Sequence, residues 1–263
     1  MSTVLITGAP SGLGRYVAFE LVRRGHLVLA HGRDRARTER LVAELRTEGR
    51  AEGFVADLAR LAEVRELGAR VAEAHPELDV LINNAGIGGG APGTGREVSA
   101  DGHELRLAVN YLAPVALTRS LLPVLRANPP ARIVNVGSAG QEPLDFADPE
   151  LTRDYSGVSA YCRSKLALAT HTFTLAEELA GTGVSVNVLH PATYMDTVMV
   201  RESGIAPWNS VADGAPGVLA LATRDLGTGG YFDGNRPARA HEAAYDPEVR
   251  ERLAAVTEQL LTA

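Results

Sequence analysis

The sequence predicts an α/β fold, one doubly wound parallel sheet with helices on both faces. Three observations predict it. Short runs rich in Val, Ile and Leu alternate with longer amphipathic stretches along most of the 263 residues. The short runs are apolar throughout, as strands covered on both faces must be. The glycine-rich and polar motifs follow the runs, and an open parallel sheet binds its ligands just there, beyond the C-terminal ends of its strands.

Taken in order, VLIT (4–7) reads as a strand, followed by glycine-rich sequence and a helix over 12–24. LVLAH (27–31) is the second strand. Residues 35–48 carry Leu41, Val42 and Leu45 among charges, the spacing of an amphipathic helix. A third strand lies near 52–56 and a helix over 61–75. VLIN (80–83) is the fourth strand, and 102–126 contains a long helix. RIVNVG (132–137), a helix over 159–181 and VSVNVL (184–189) follow. Weaker helical patterns cover 211–222 and 247–261. There is no internal repeat or low-complexity linker, so a single Rossmann-type domain is expected over 1–263, its crossovers right-handed.

Composition narrows the function. The net charge is -6, with 45% hydrophobic and 22% charged residues, which is ordinary globular composition. The acidic balance offers no basic face for a phosphate backbone, so nucleic acid is excluded as a main partner. One cysteine, Cys162, allows no intrachain disulfide and no Cys-based zinc site, and the seven histidines show no metal-binding spacing, so no metal is expected. The N-terminus lacks a basic region and long apolar core, and no uninterrupted apolar run nears the ~20 residues of a membrane span. A soluble, cytoplasmic protein without a membrane partner is the expectation.

TGAPSGLG (7–14) sits between the first strand and the first helix. Gly8, Gly12 and Gly14 let the backbone turn tightly and approach a pyrophosphate at the helix N-terminus. The spacing is Gly-x-x-x-Gly-x-Gly, not Gly-x-Gly-x-x-Gly. A second signal lies in YCRSK (161–165). Of 26 basic residues, 25 are arginines and one is Lys165. The lysine surviving such a bias belongs where a guanidinium will not serve. Tyr161 and Lys165, at i and i+4, share a helix face. A phenol with pKa ~10 is a poor acid at neutral pH, and a nearby ammonium favours its phenolate. Tyr155 has Ser159 at its +4 position and is rejected for that role. Ser138, after the fifth strand, can orient a substrate oxygen towards Tyr161.

With Asp57-Leu58, NNAG (83–86), Asn110 and Ser138 in the same order, these motifs resemble the short-chain dehydrogenase/reductase family across nearly the whole chain. The segment FADPELTRDYSG (146–157) resembles its retinol dehydrogenase-like branch. The resemblance implies Asn110, Ser138, Tyr161 and Lys165 as the catalytic set, with Asn110 in a water-linked proton relay to Lys165. A helix-kinking or capping Asn beside Pro114 is the plain alternative. The implied cofactor-binding set is Gly8, Ser11, Gly12, Leu13, Gly14, Arg33, Asp57, Leu58, Asn84, Ala85, Gly86, Asn110, Tyr161, Lys165, Pro191, Thr193 and Thr197. Asp57 would contact adenine, a helix N-cap being the alternative. Asn83, His171 and His190 are read as structural. Where the family has Pro-Gly, this chain has Pro191-Ala192, so Thr193 and Thr197 both stay open as the nicotinamide contact.

Arg33 ends the second strand where an acid would select NAD, and Asp34 is expected to point away. NADP(H) is therefore favoured over NAD(H). The expected function is a carbonyl reductase or alcohol dehydrogenase acting on a small carbonyl or alcohol. Two alternatives share the fold: a cofactor-binding regulator without turnover, and an NADP-dependent dehydratase or epimerase. Substrate walls are expected from 86–95, 141–157 and a small lid within 194–209, whose Met195, Met199 and Trp208, with Phe146, suit a partly apolar substrate. The helices within 102–126 and 159–181 leave a homo-oligomer open.

Overall fold

The computed structural model describes residues 1–262. Its elements are β1 (Thr3–Ile6), α1 (Gly12–Arg23), β2 (Leu27–Gly32), α2 (Arg35–Arg46), β3 (Ala51–Val55), α3 (Leu61–Ala74) and β4 (Leu78–Asn83). Then come α4 (Leu105–Leu107), a π-helical turn (Ala108–Leu112), α5 (Ala113–Ala127), β5 (Ala131–Val136), α6 (Gly157–Glu178) and β6 (Val184–His190). The chain ends with α7 (Val198–Glu202), α8 (Val211–Thr223), β7 (Tyr231–Asp233), β8 (Arg236–Ala238), a 3-10 turn (Glu242–Tyr245) and α9 (Pro247–Thr262).

All eight strands form one sheet in the order β3-β2-β1-β4-β5-β6-β7-β8. Every pair is parallel except β7–β8. Alternation of side chains along each strand builds two apolar layers. Leu5, Leu29, Leu81, Ile133 and Val186 face α3, α5 and α6, while Val4, Ile6, Val28, Val80, Ile82 and Val134 face α1, α2 and α8. Strand order reverses at β1, which lies between β2 and β4, and the crevice at such a switch point is where these sheets bind ligands.

The structure departs from the sequence reading in the long helix and at the C-terminal strands. The helix placed within 102–126 begins at Leu105 and is interrupted by the π-helical turn. Pro114 explains the interruption, since it has no N–H for the carbonyl of Asn110 four residues earlier. From Leu105 to Ala127 this stretch is 23 residues, with a mean hydropathy of 1.3 over its most apolar 18, long and apolar enough to cross a membrane by length and composition, although Arg106, Asn110 and Arg119 leave no uninterrupted apolar run. Here it is a core helix, its apolar side packed on α3 and the sheet. Strands β7 and β8 went unread because three-residue strands beside Gly229, Gly230 and Gly234 carry no period.

The C-terminal helix α9 lies across α5 and α6. Thr257 and the Tyr111 hydroxyl share a hydrogen bond, Arg119 pairs with Glu258, and Arg250 donates to Glu177 at 2.8 Å.

Candidate active site

The glycine loop turns from β1 into α1 with no slack. Gly8 has φ +67, and a Cβ there would stand 2.9 Å from the Cα of Ala85. A Cβ on Gly14 would stand 2.5 Å from both the Gly8 carbonyl oxygen and Asn84 Nδ2. Ser11 precedes α1 in extended conformation and gives it no side-chain cap, so the first amides of a twelve-residue helix are not satisfied by a cap. A loop with no space for a Cβ at Gly8 or Gly14, leading to such a helix start, fits an anionic pyrophosphate. The opposite wall is NNAG. The Thr7 hydroxyl accepts from the backbone amides of Asn84 and Ala85, both at 3.0 Å, and Asn84 Nδ2 donates to the Thr7 carbonyl at 2.8 Å. Asn83 is structural as expected: its Nδ2 donates to Asn135 and Thr118, and Asn135 in turn donates to Thr172. Leu13 and Leu58 are buried in the apolar layers, so they face the groove with backbone only.

At the end of β2, Arg33 is exposed. Asp34 caps α2, its carboxylate accepting from the Arg37 amide at 2.8 Å, and so is turned away from the groove as expected. His31 is buried at 2% exposure, and Gly8 N donates to its Nδ1 while Nε2 faces the Ala56 carbonyl at 3.1 Å. Burial holds it down to about 4, so it is neutral at physiological pH. Sequence reading missed this histidine, which ties the glycine loop to β3. Asp57 is not a helix N-cap. Its carboxylate accepts from the Ala59 amide at 3.0 Å, and Asp101 accepts from the first amide of α3 instead.

At the other end of the groove, Ser138 follows β5 and Tyr161 and Lys165 rise from α6. A Cβ at Gly140 would lie 3.5 Å from Ser138 Oγ and 3.7 Å from Tyr161 Cε1, so one small residue separates the two side chains. Ser138 Oγ accepts from the Gly140 amide at 3.0 Å, which leaves its own proton to donate outward. Lys165, 4% exposed, donates to the Val136 carbonyl at 2.8 Å, with its ammonium 5.8 Å from the Tyr161 ring centroid. Burial alone pulls Lys165 down to about 8. Burial pushes the Tyr161 phenol up, and the hydrogen bond with Ser138 pulls it back down. In the bare protein Ser138, rather than the ammonium, is thus what counters burial at the phenol.

The Asn110 side chain is fully used by the protein. Its Oδ1 accepts from Ile87 N at 2.8 Å, and its Nδ2 donates to the Ile87 carbonyl and the Ser164 hydroxyl, each at 3.0 Å. It therefore does not bond Lys165, although both groups flank Gly86, where a Cβ would lie 3.2 Å from Asn110 Oδ1 and 3.4 Å from Lys165 Nζ.

After β6, Pro191 is buried and Thr193 Oγ1 is hydrogen-bonded to His190 Nε2 at 3.0 Å. Thr197 caps α7 and leans on the glycine loop, its Cγ2 3.2 Å from where a Gly12 Cβ would be. Of the two threonines, Thr197 is the one beside the glycine loop. Tyr194 (φ 45) and Trp208 meet edge to face at 4.9 Å, and Trp208 is 70% exposed. Met199 reaches across to Gly88. The other two walls are stitched together by charge. Buried Arg106 donates to the Gly88 carbonyl and pairs with Glu97 at 2.9 Å, and the Glu150 carboxylate accepts from Glu104 N at 2.8 Å. The Tyr155 hydroxyl donates to Glu104 and is pushed up to about 12 by burial and that carboxylate, which removes it as an acid.

A family model described as short chain dehydrogenase matches residues 2–207. The chain is 35% identical to human retinol dehydrogenase 13 over 285 aligned positions, covering 98% of this chain and 84% of that one. An uncharacterised protein of Mycobacterium paratuberculosis superposes with a TM-score of 0.84 at 32% identity, covering 100% of this chain and 94% of that one. A Beutenbergia cavernae structure described as an NAD(P)-dependent gluconate 5-dehydrogenase with bound NADP superposes with a TM-score of 0.72 at 31% identity, covering 89% and 95%.

Proposed function

The chain belongs to the short-chain dehydrogenase/reductase family, in its retinol dehydrogenase-like branch, and from that premise we propose that it is an NADP(H)-dependent oxidoreductase interconverting a carbonyl and an alcohol. The observation that carries the reading is the grouping of Ser138, Tyr161 and Lys165 at the same C-terminal end of the sheet as the cap-free glycine loop. A bound nicotinamide dinucleotide supplies hydride to, or accepts it from, the substrate carbon. The chain supplies everything else. The Ser138 proton, freed by the Gly140 amide, holds the substrate oxygen. Tyr161 passes that oxygen its phenolic proton in reduction and takes it back in oxidation. Buried Lys165 places positive charge beneath the groove floor and, at about 8, exchanges its proton near neutral pH. The relay reaches Asn110 through its main-chain carbonyl, which Pro114 cannot cap, because its side chain is already spent.

The preference for the 2′-phosphorylated cofactor rests on the end of β2. Gly32 has no room for an acid, since a Cβ there would stand 2.5 Å from Pro10 Cγ, Asp34 is committed to its helix, and Arg33 is free to meet a phosphate. The bound NADP in the Beutenbergia cavernae structure is consistent with this. Residues 194–209 act as a lid within this single domain, and their exposed Trp208 and Val198 are apolar surface that closure on a partly apolar substrate would cover.

The test is turnover on a panel of ketones and aldehydes with each reduced cofactor, read as loss of nicotinamide absorbance. NADPH should be preferred, Arg33→Ala should erode that preference, and Tyr161→Phe should lower kcat by roughly a hundredfold or more. A Tyr161→Phe protein as active as the parent refutes the acid, and equal use of NADH in the parent refutes the cofactor choice.

A further inference from the structure

Ser138 is gripped from behind. Its main-chain carbonyl accepts two hydrogen bonds, from Gln141 Nε2 at 2.8 Å and from the Tyr231 hydroxyl at 3.0 Å. Gln141 is itself held, because its Oε1 accepts from the His241 amide at 2.6 Å. Tyr231 belongs to β7 and is 6% exposed, while His241 lies just past β8. The catalytic turn is thus fastened to a segment some hundred residues away in sequence, across a cavity of about 390 Å³ that Gln141, Tyr231 and His241 help to line. Behind the same turn, Gly137 lies so close to β6 that a Cβ there would stand 2.8 Å from Val188 Cγ2.

We infer that Gln141 and Tyr231 are positioning residues that set the orientation of the Ser138 hydroxyl through its carbonyl, and that the β7–β8 hairpin is thereby part of the catalytic scaffold. The inference rests on the reading of Ser138 as the group that orients the substrate oxygen. Two donors on one carbonyl fix the plane of the Ser138–Ala139 peptide. That plane is the one from which the chain enters the Ala139–Gly140 peptide, whose amide directs the Ser138 proton outward. Losing one donor leaves the peptide free to rotate, and a displacement of about an ångström in a reacting group is enough to cost tenfold to a hundredfold in rate.

The experiment uses Tyr231→Phe and Gln141→Met, alone and in a Ser138→Ala background. Each alone is expected to lower kcat about tenfold with the cofactor KM unchanged, and to have no further effect once Ser138 is alanine. A loss of kcat that persists undiminished in the Ser138→Ala background overturns the inference, as does parent-like kcat in both single variants. A second readout needs no substrate. With ¹³Cζ-labelled tyrosine, the Tyr161 resonance, assigned by its loss in Tyr161→Phe, should move in both variants towards its position in Ser138→Ala. A Tyr161 resonance unmoved in both variants overturns the inference even if the parent reduces no carbonyl tried, an outcome that would count separately against the proposed function.

Discussion

At the residue scale, the cofactor groove is defined by what is missing at Gly14. A β-carbon there would stand 2.5 Å from a main-chain oxygen and from an amide nitrogen that is itself fastened to Thr7. Neither neighbour is the loose end of a flexible side chain, so the loop must open to accept even a methyl group. Gly14→Ala should therefore weaken cofactor binding by on the order of tenfold or more, about 1.4 kcal/mol, measured by quenching or energy-transfer titration with NADPH. An unchanged dissociation constant would mean that the loop does not touch the cofactor. The glycine pattern was readable from sequence because this steric demand leaves its mark on residue type. The same holds for the lone lysine four residues after a tyrosine. His31 left no such mark, since a buried histidine bridging two loops looks like any strand residue until the third dimension is known.

At the element scale, the interrupted helix shows what the Asn110 side chain does for the fold. Asn110 stood out in the sequence as an amide in an apolar run, with Pro114 four residues later as the mark of a candidate kink. What the sequence could not show is that the amide closes on the loop after β4, using every polar atom it has on Ile87 and Ser164. Replacing it with alanine strands the Ile87 N–H and the Ile87 carbonyl, while the Ser164 hydroxyl keeps its bond to the Tyr161 carbonyl, and an unsatisfied buried polar group costs about 1–3 kcal/mol. Asn110→Ala should thus lose roughly 2–4 kcal/mol of stability in a urea titration. The affinity for cofactor should fall as well, because the NNAG segment loses its anchor. A variant with parent-like stability would show that the π-helical turn holds itself without the side chain. The parallel strands from β1 to β6 were legible because their burial on both faces writes continuous apolar runs. The C-terminal hairpin was not, because β7 and β8 are three residues each and hold their place through pairing and through Tyr231 and Gln141.

At the scale of the whole molecule, buried histidines make stability depend on acid. His31 and His171 are each held down to about 4 from an ordinary value of 6.5, chiefly by burial; at His171 Arg119 lowers it further and Glu258 opposes. His171 stands edge to face with Tyr111 under α9, and its Nε2 has no partner. His26 and His190 are shifted in the same direction. For each such group the unfolded chain binds a proton that the folded chain refuses. The folded state is therefore fully stable above about 6.5 and loses ground as pH falls from there towards 4. At 1.36 kcal/mol per pKa unit, the two best-buried histidines together cost on the order of several kcal/mol by the low end of that window. Below it Asp148, held down to about 2 by the amides of Thr152 and Arg153, begins to add its own loss. Lys165 follows the same rule on the alkaline side, where its depressed value makes the fold more stable as pH rises from about 8 to 10.5. Urea denaturation between pH 8 and pH 5 should accordingly show a midpoint that falls once pH drops below 6.5, with a shallower fall in His171→Leu, which keeps the contact with Tyr111 without a titrating ring. A midpoint flat across that range, or an unchanged slope in the variant, would mean that these rings reach solvent and carry their protons in the folded protein as they do in the unfolded chain.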